Sequence, residues 1–129
     1  MTDVLKYVGD FKDGMPSGKG MVEGPDEGTY VGEFKNGRPH GMGVLTLPAG
    51  TYHGEFKNGK KHGHGINSLP EKGTCEGEYK DGYLNGPATI TFPNGVKFSC
   101  EFRGDKPAGK GTFIHPDGRK EVREYQNPG

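Results

Sequence analysis

A glycine-rich segment late in the chain holds the residues most suggestive of chemistry. Residues 104–111, GDKPAGKG, approximate the phosphate-binding loop GxxxxGK[ST], in which backbone N–H groups and a lysine hold phosphates. Gly111 stands where that loop requires a hydroxyl for Mg²⁺, and the following residues, TFIHP, are typical of a strand and not of a phosphate-binding helix. We therefore expect no nucleotide, no cofactor, no small-molecule substrate and no catalytic residue.

Histidine and cysteine are the other residue types that could bind a metal ion or act as nucleophiles. His40 and His62 recur near turns, and equivalent residues two strands apart in a sheet are separated by roughly 10 Å, too far to share a metal ion without a ligand between them. His64 is a neighbouring surface residue in this interpretation. Cys75 and Cys100 form no CxxC motif, and a disulfide needs Cα atoms about 4.4 to 6.8 Å apart. We expect no metal site, and we interpret both cysteines as small apolar fillers.

These residues lie on copies of one short pattern. The copies begin at Tyr7, Tyr30, Tyr52, Cys75 and Phe98. A second aromatic residue follows each start by four positions, at Phe11, Phe34, Phe56, Tyr79 and Phe102. The regular spacing indicates five structural repeats.

Each copy is predicted to be a β-hairpin. Asn-Gly and Asp-Gly pairs accept the positive φ of a tight turn. They occur at Asp13-Gly14, Asn36-Gly37, Asn58-Gly59 and Asp81-Gly82, and the pair has slipped to Gly104-Asp105 in the fifth copy. A wider turn closes each copy, as at Pro48-Ala49-Gly50, and the prolines are expected only in such connections.

Alternation along a strand assigns the side chains to two faces. Tyr30, Gly32 and Phe34 share one face with Leu45 of the return strand, and we expect this face to be the core. Glu33 and Lys35 start acidic and basic ladders on the other face, which we interpret as solvated. A single hairpin is marginal in water, so stacked copies supply the missing burial, and glycines let neighbouring rings lie over the backbone.

The predicted fold is all-β: one elongated, twisted or curved antiparallel sheet of stacked hairpins, roughly 50 Å long at ~4.8 Å per strand. It covers residues 1–129 as a single array, with Val4 and Leu5 in the first strand and a terminating strand at 121–125. Without the period, 29% hydrophobic residues with 25 glycines and 10 prolines would indicate disorder.

Charge and hydropathy exclude several classes of protein. The formal net charge of zero argues against nucleic-acid binding. No apolar run approaches the ~20 residues of a membrane span, and the start lacks the features of a secretory signal. We expect a cytoplasmic protein.

Residues 30–43, YVGEFKNGRPHGMG, and residues 52–65, YHGEFKNGKKHGHG, resemble the membrane occupation and recognition nexus (MORN) repeat. The resemblance covers about residues 7–120. It implies extended sheets of hairpins in scaffolding, cytoskeletal, axonemal or ciliary, and membrane-associated assemblies, with dimer formation and without catalysis. Cys75, Phe98, Cys100, Ala88 and Asn67 depart from the pattern, so the third and fifth copies are expected to be distorted or to meet a partner.

The leading hypothesis is a scaffold or adaptor that binds a partner peptide or helix on the aromatic, glycine-lined face. The predicted contact residues are Tyr30, Phe34, Tyr52, Phe56, Tyr79, Phe98 and Phe102. The alternative is a peripheral adaptor for phosphoinositides or other anionic lipids, bound by a basic stripe of Arg38, Lys60, Lys61 and Lys106. A homodimer joined end to end through terminal strands is a third possibility.

Overall fold

The computed structural model describes residues 6–24 and 28–126, which form one open antiparallel sheet of eleven strands in sequence order. The strands are β1 (Lys6–Lys12), β2 (Met15–Gly24), β3 (Gly28–Lys35), β4 (Arg38–Leu47), β5 (Gly50–Lys57), β6 (Lys60–Leu69), β7 (Gly73–Lys80), β8 (Tyr83–Thr91), β9 (Lys97–Arg103), β10 (Lys106–Ile114) and β11 (Lys120–Tyr125). The predicted all-β sheet of stacked hairpins is confirmed. The predicted strand start at Val4 and Leu5 lies outside the described residues.

Each hairpin turn has two consecutive residues with positive φ, the signature of a type I′ turn. Asn36 and Gly37 have φ of 52° and 81°. In the fifth copy Gly104 and Asp105 have φ of 53° and 71° at the equivalent positions. That turn has therefore not slipped, as we had predicted, but keeps its place with the two residue types exchanged.

Every hairpin carries an irregularity just after its turn. In β3 and β4, Gly32 pairs with Gly43 and Phe34 pairs with Pro39, so that residues 40–42 face Glu33 alone. The Glu33 carboxylate accepts a hydrogen bond from the Met42 N–H at 2.7 Å. The acidic ladder is thus not only solvated, since its members also satisfy backbone donors that the bulge releases.

Prolines enter the strands beside these bulges, which corrects the prediction that they occupy only connections. Pro16, Pro39 and Pro107 lie in β2, β4 and β10. The ladder between β4 and β5 begins only at Gly41, so an N–H at position 39 would have no ladder partner. A proline at this position therefore removes no ladder hydrogen bond.

The tip of each hairpin is bonded to the copy before it. Backbone N–H groups of Gly37, Gly59 and Gly82 donate to the carbonyls of Pro16, Pro39 and Lys61, each at 2.9 Å. In the last link Asp105 donates to the Leu84 carbonyl, and its carboxylate accepts from the Leu84 N–H at 2.7 Å. Asp105 replaces the usual glycine and so satisfies the N–H that Leu84 has where Pro16 and Pro39 have none.

The core is a row of aromatic rings on one side of the sheet, here called the aromatic face. The rings of Phe11, Tyr7, Phe34, Tyr30, Phe56, Tyr52 and Tyr79 meet edge to face in this order, with centroids 4.9 to 5.2 Å apart. The hydroxyls of Tyr30 and Tyr52 donate to the carbonyls of Glu33 and Glu55. Burial raises the pKa of both tyrosines to about 12, so these donors remain protonated.

Each tyrosine ring lies over glycines that face one another across the hairpin. A Cβ on Gly43 or Gly65 would come closer than 3.0 Å to the ring of Tyr30 or Tyr52, respectively. The fourth copy has Ala88 at this place, and its ring is missing because Cys75 replaces the tyrosine. The two departures compensate each other sterically.

The remaining departures also compensate their neighbours. Tyr79 replaces a phenylalanine, and its added hydroxyl lies 3.4 Å from the side-chain nitrogen of Asn67, where other copies place an aliphatic residue. In the fifth copy Cys100 occupies the glycine site beside Phe98, whose ring lies over Gly111 instead. The strand pairing of the third copy follows the pattern of the others, so the expected distortion is not observed there. In the fifth copy the bulge is displaced by one residue, because residues 109–111 face Cys100 and not Glu101, so the expected distortion is found there.

Substitution of Gly65 by alanine tests this steric pairing. We expect Gly65→Ala to lower the free energy of unfolding by about 1 to 3 kcal/mol, the usual cost of overpacking, because the Tyr52 ring must move. In a Tyr52→Cys background the same substitution should cost less than about 1 kcal/mol, since the fourth copy combines these residue types. Urea unfolding of the four proteins of the cycle measures both values, and an equal cost in the two backgrounds would contradict the pairing.

Candidate interaction surfaces

The seven aromatic residues predicted to contact a partner are buried by their own array. Their side chains are between 1% and 6% exposed, the lowest value belonging to Tyr52. A partner on the aromatic face would meet ring edges and little else of these residues, whose evident role is to hold the hairpins together. Their role in partner binding stays a prediction.

Lys61 lies on the aromatic face and not with the basic residues to which we had assigned it. It pairs with Phe56 across the hairpin, at the position that Pro39 fills in the second copy. Its ammonium lies 4.9 Å from the centroid of the Tyr52 ring and 5.7 Å from that of Tyr79. Burial lowers the pKa of Lys61, and contact with the two rings favours its charged form. Lys61 is thus separated from the other three members of the predicted lipid-binding stripe, whose role stays a prediction.

The other basic residues of that stripe belong to a longer row along the hairpin turns, here called the basic edge. It consists of Lys12, Lys35, Arg38, Lys57, Lys60, Lys80, Arg103 and Lys106. Three cross-strand pairs in it have like charges: Lys35 with Arg38, Lys57 with Lys60 and Arg103 with Lys106. Like charges placed directly opposite each other destabilise a hairpin, so an anion bound beside these pairs would relieve their repulsion.

A second row crosses the middle of the opposite face, from one strand to the next. In order it contains Val8, Met21, Val31, Val44, His53, Ile66, Glu76, Thr89, Ser99, Thr112 and Val122. The first four side chains are apolar, and Val8 and Val31 are about half exposed, as is the neighbouring Met42. The apolar side chains are therefore grouped at the start of this central row, and after Val44 the row is polar except for Ile66 and Val122.

An acidic depression lies beside the polar half of the central row. Glu76, Glu78 and Glu101 line it, and the hydroxyls of Thr89 and Ser99 lie 3.0 Å apart within it. Position 87 is a proline, which has no N–H, so Glu78 lacks the backbone donor that Glu33 and Glu55 bind in their own hairpins. Its carboxylate is therefore available to a partner outside its own hairpin.

His64 binds two of these carboxylates, one with each ring nitrogen. Nε2 lies 2.9 Å from Glu76 and Nδ1 lies 3.2 Å from Glu78. The hydrogen bond to Glu76, followed by that to Glu78, raises the pKa of His64 above its usual value near 6.5. The imidazole therefore holds a proton, and a positive charge, at a higher pH than an isolated histidine.

The other residues that could have done chemistry are placed as follows. Gly104 and Asp105 form a turn and the residues after them form β10, so this glycine-rich segment precedes a strand, as expected. Cys75 and Cys100 are both free, and burial raises the pKa of the Cys75 thiol. Among residues 6–24 and 28–126, no group of three or more histidine, cysteine or acidic side chains is arranged to hold a metal ion.

Sequence reasoning missed the central row and the His64 cluster. The signal for the row was present in the residue that follows each copy start, where Val8 and Val31 are followed by His53, Glu76 and Ser99. The contact of His64 with Glu76 and Glu78 crosses from the third copy to the fourth. Comparing the copies position by position does not show this contact, because it joins different positions of two copies.

The described residues form an open sheet of hairpin repeats with no second layer over either face. The sequence pattern of the MORN repeat matches residues 7–29, 30–51, 52–66, 75–97 and 101–118, and the chain belongs to this family. Repeats of this kind are generally protein- or membrane-interaction modules. No curated protein matches the chain. The matches omit residues 67–74 and 98–100, which include Asn67, Phe98 and Cys100.

Within the described part of the chain, no helix is long and apolar enough to cross a membrane.

The two carboxylates beside His64 make its titration testable by NMR. We expect its imidazole to titrate above pH 6.5. Glu76→Gln should lower that pKa, because the Glu76 carboxylate, whose hydrogen bond raises it most, loses its charge. A raised native pKa means that the stabilising contact is complete below pH 6.5 and is lost as the pH rises through the native pKa. Glu101→Gln, which lines the depression without bonding to His64, is the control. Unchanged titration in Glu76→Gln would contradict the assignment.

Proposed function

We propose that this protein is a non-enzymatic scaffold that binds a protein partner in a cytoskeletal assembly of the cytoplasm, with an axonemal or ciliary setting as the narrower case. The observation that carries the proposal is the single sheet of β1–β11, of which both broad faces are uncovered in the described residues. A sheet normally covers at least one face with a second layer. Here the aromatic rings cover only their own backbone, which leaves the opposite face for a partner.

Two further features support a binding role over a catalytic one. The repeats leave no separate domain within the described ranges to hold an active site. The exposed large apolar side chains include Val8, Val31 and Met42, which lie together on the opposite face. Grouped exposed apolar residues mark interaction surfaces.

Cross-linking with mass spectrometry of the full chain in native extract tests the scaffold. Cross-links at three lysines distinguish the surfaces. A cross-link to Lys61 indicates a partner on the aromatic face, one to Lys19 a partner on the opposite face, and one to Lys57 a partner at the basic edge. We expect cross-links to one or a few proteins of the sedimenting cytoskeletal fraction, and none of them with heat-denatured chain. If the chain is recovered from the extract only with membrane vesicles, and no protein is cross-linked to it, the proposal is contradicted.

The basic edge favours a second candidate function, that of a peripheral adaptor on anionic membranes. The three like-charged cross-strand pairs lie in one line, and each basic residue near an anionic surface contributes about 1 kcal/mol. Arg38, Lys60 and Lys106 of the predicted stripe retain this role. Because the whole chain has a formal net charge of zero, attraction to an anionic membrane would have to come from this edge.

Charge reversal on the basic edge separates this candidate from the scaffold. We expect Arg38→Glu with Lys60→Glu to weaken cosedimentation with vesicles that contain phosphoinositides by at least tenfold, because two favourable charges become repulsive. Lys72→Glu with Lys97→Glu reverses the same number of charges away from the basic edge, in the turn between β6 and β7 and at the start of β9, and is the matched control. If the two proteins bind vesicles equally, the basic edge is not a lipid site.

A further inference from the structure

We propose that the opposite face binds an amphipathic α-helix of the partner protein, whose apolar stripe covers the apolar half of the central row and whose basic end reaches the acidic depression. This inference rests on the proposed scaffold function and names the site and the chemistry of the partner. It follows from the order of residues along the central row.

The apolar half supplies a continuous strip for the helix. Val8, Met21, Val31 and Val44 lie on four successive strands, so their side chains recur every ~4.8 Å along the array. Met42 widens the strip where it lies beside Val31 in a shallow depression. A helix presents apolar side chains to one side at each turn, every ~5.4 Å, which is close to the strand spacing.

The acidic half supplies the charge that selects the partner. Glu76, Glu78 and Glu101 converge on the depression, and His64 is the only basic group in ion-pair contact with any of them in the described ranges. Lysine or arginine at the end of the docked helix would meet at least Glu101, which has no ion pair within residues 6–24 and 28–126. An acidic partner segment would be repelled at the same place.

The distance between the two halves sets the length of the helix. Val31 and Glu76 are four strands apart along the central row, or about 19 Å at the usual strand spacing. A helix rises 1.5 Å per residue, so about 13 residues join the centre of the apolar strip to the depression. The partner helix therefore carries its basic residues 11 or 14 positions from its central apolar contacts, because at about 3.6 residues per turn these positions return to the side that faces the sheet, whereas position 13 points away from it.

Backbone hydrogen bonding favours a helix over an extended peptide on this face. Strands β2–β10 each pair on both sides, so the face offers side chains and few free backbone groups. An extended peptide lying there would leave its own N–H and C=O groups unsatisfied against valine and methionine. A helix satisfies these groups internally.

A second copy of this chain fits the face less well. Two copies stacked with their apolar strips together would bury about four or five apolar side chains each, well below the ~800 Å² per partner of a stable interface. Stacked the other way, the strip of one copy would cover the three glutamates of the other. Neither arrangement satisfies both halves of the row.

Synthetic helical peptides test the inference. The probe set has leucines along one stripe and lysines 11, 14 or 15 positions from its centre, on the side of the helix that carries the leucines. A control set has the same composition with leucines and lysines mixed. Fluorescence anisotropy with the full chain should show at least tenfold tighter binding of one striped peptide. Val31→Thr with Val44→Thr should abolish that preference while keeping the β-branched shape. Val122→Thr, the same change on the same row at its far end, should leave it intact.

Neutralisation of the depression gives the second readout. Glu76→Gln with Glu101→Gln should weaken the striped peptide at least fivefold, whereas Glu71→Gln in the turn between β6 and β7 should not. Circular dichroism melting of each variant confirms folding. Equal binding of striped and mixed peptides, equal loss in Val122→Thr, or concentration-dependent dimerisation lost in Val31→Thr with Val44→Thr would overturn the inference. Cross-links from a partner to Lys61 alone would overturn it while leaving the scaffold function intact.

Discussion

The tyrosine that opens each of the first three copies requires a glycine beneath its ring, and the remaining structure depends on that contact. A methyl group on Gly43 would lift the Tyr30 ring and separate its hydroxyl from the Glu33 carbonyl. With the rings lying on the backbone, each touches the ring of its own hairpin and that of a neighbouring one. A chain with only 29% hydrophobic residues thereby builds a core in a single layer.

The period of the sequence was sufficient to predict the hairpins, because Tyr30, Phe34 and Asn36-Gly37 stand in fixed register with their copies. The bulges were not predictable from alternation alone. They decide where the ladder between copies begins, and so why Pro39 can stand inside β4 and why Asp105 must accept a bond from Leu84. These requirements arise between copies and not within one.

The surfaces were harder to predict than the fold, for two physical reasons. Alternation told which side chains share a face, but not that Tyr52 and its neighbours would bury one another completely. Lys60 and Lys61 are adjacent in sequence, and successive residues of a strand point to opposite faces, so one joins the basic edge and the other lies over Tyr52. Glu78 has no backbone donor in its own hairpin because Pro87, nine residues away in the partner strand, has no N–H.

The hydrogen bonds that join each hairpin tip to the copy before it fix the spacing of the copies along the array. Gly37 bonds only backward to Pro16 and Gly59 only backward to Pro39, so each tip depends on one neighbour and on no distant copy. Adding or deleting a whole repeat would change the length by two strand spacings, about 10 Å, and leave every other tip in place. An insertion or deletion within a hairpin would break the glycine register instead, whereas the wider turns accommodate one residue, since the copies start 23, 22, 23 and 23 residues apart. Length in such a protein therefore changes in steps, and the distance between two attached partners changes with it.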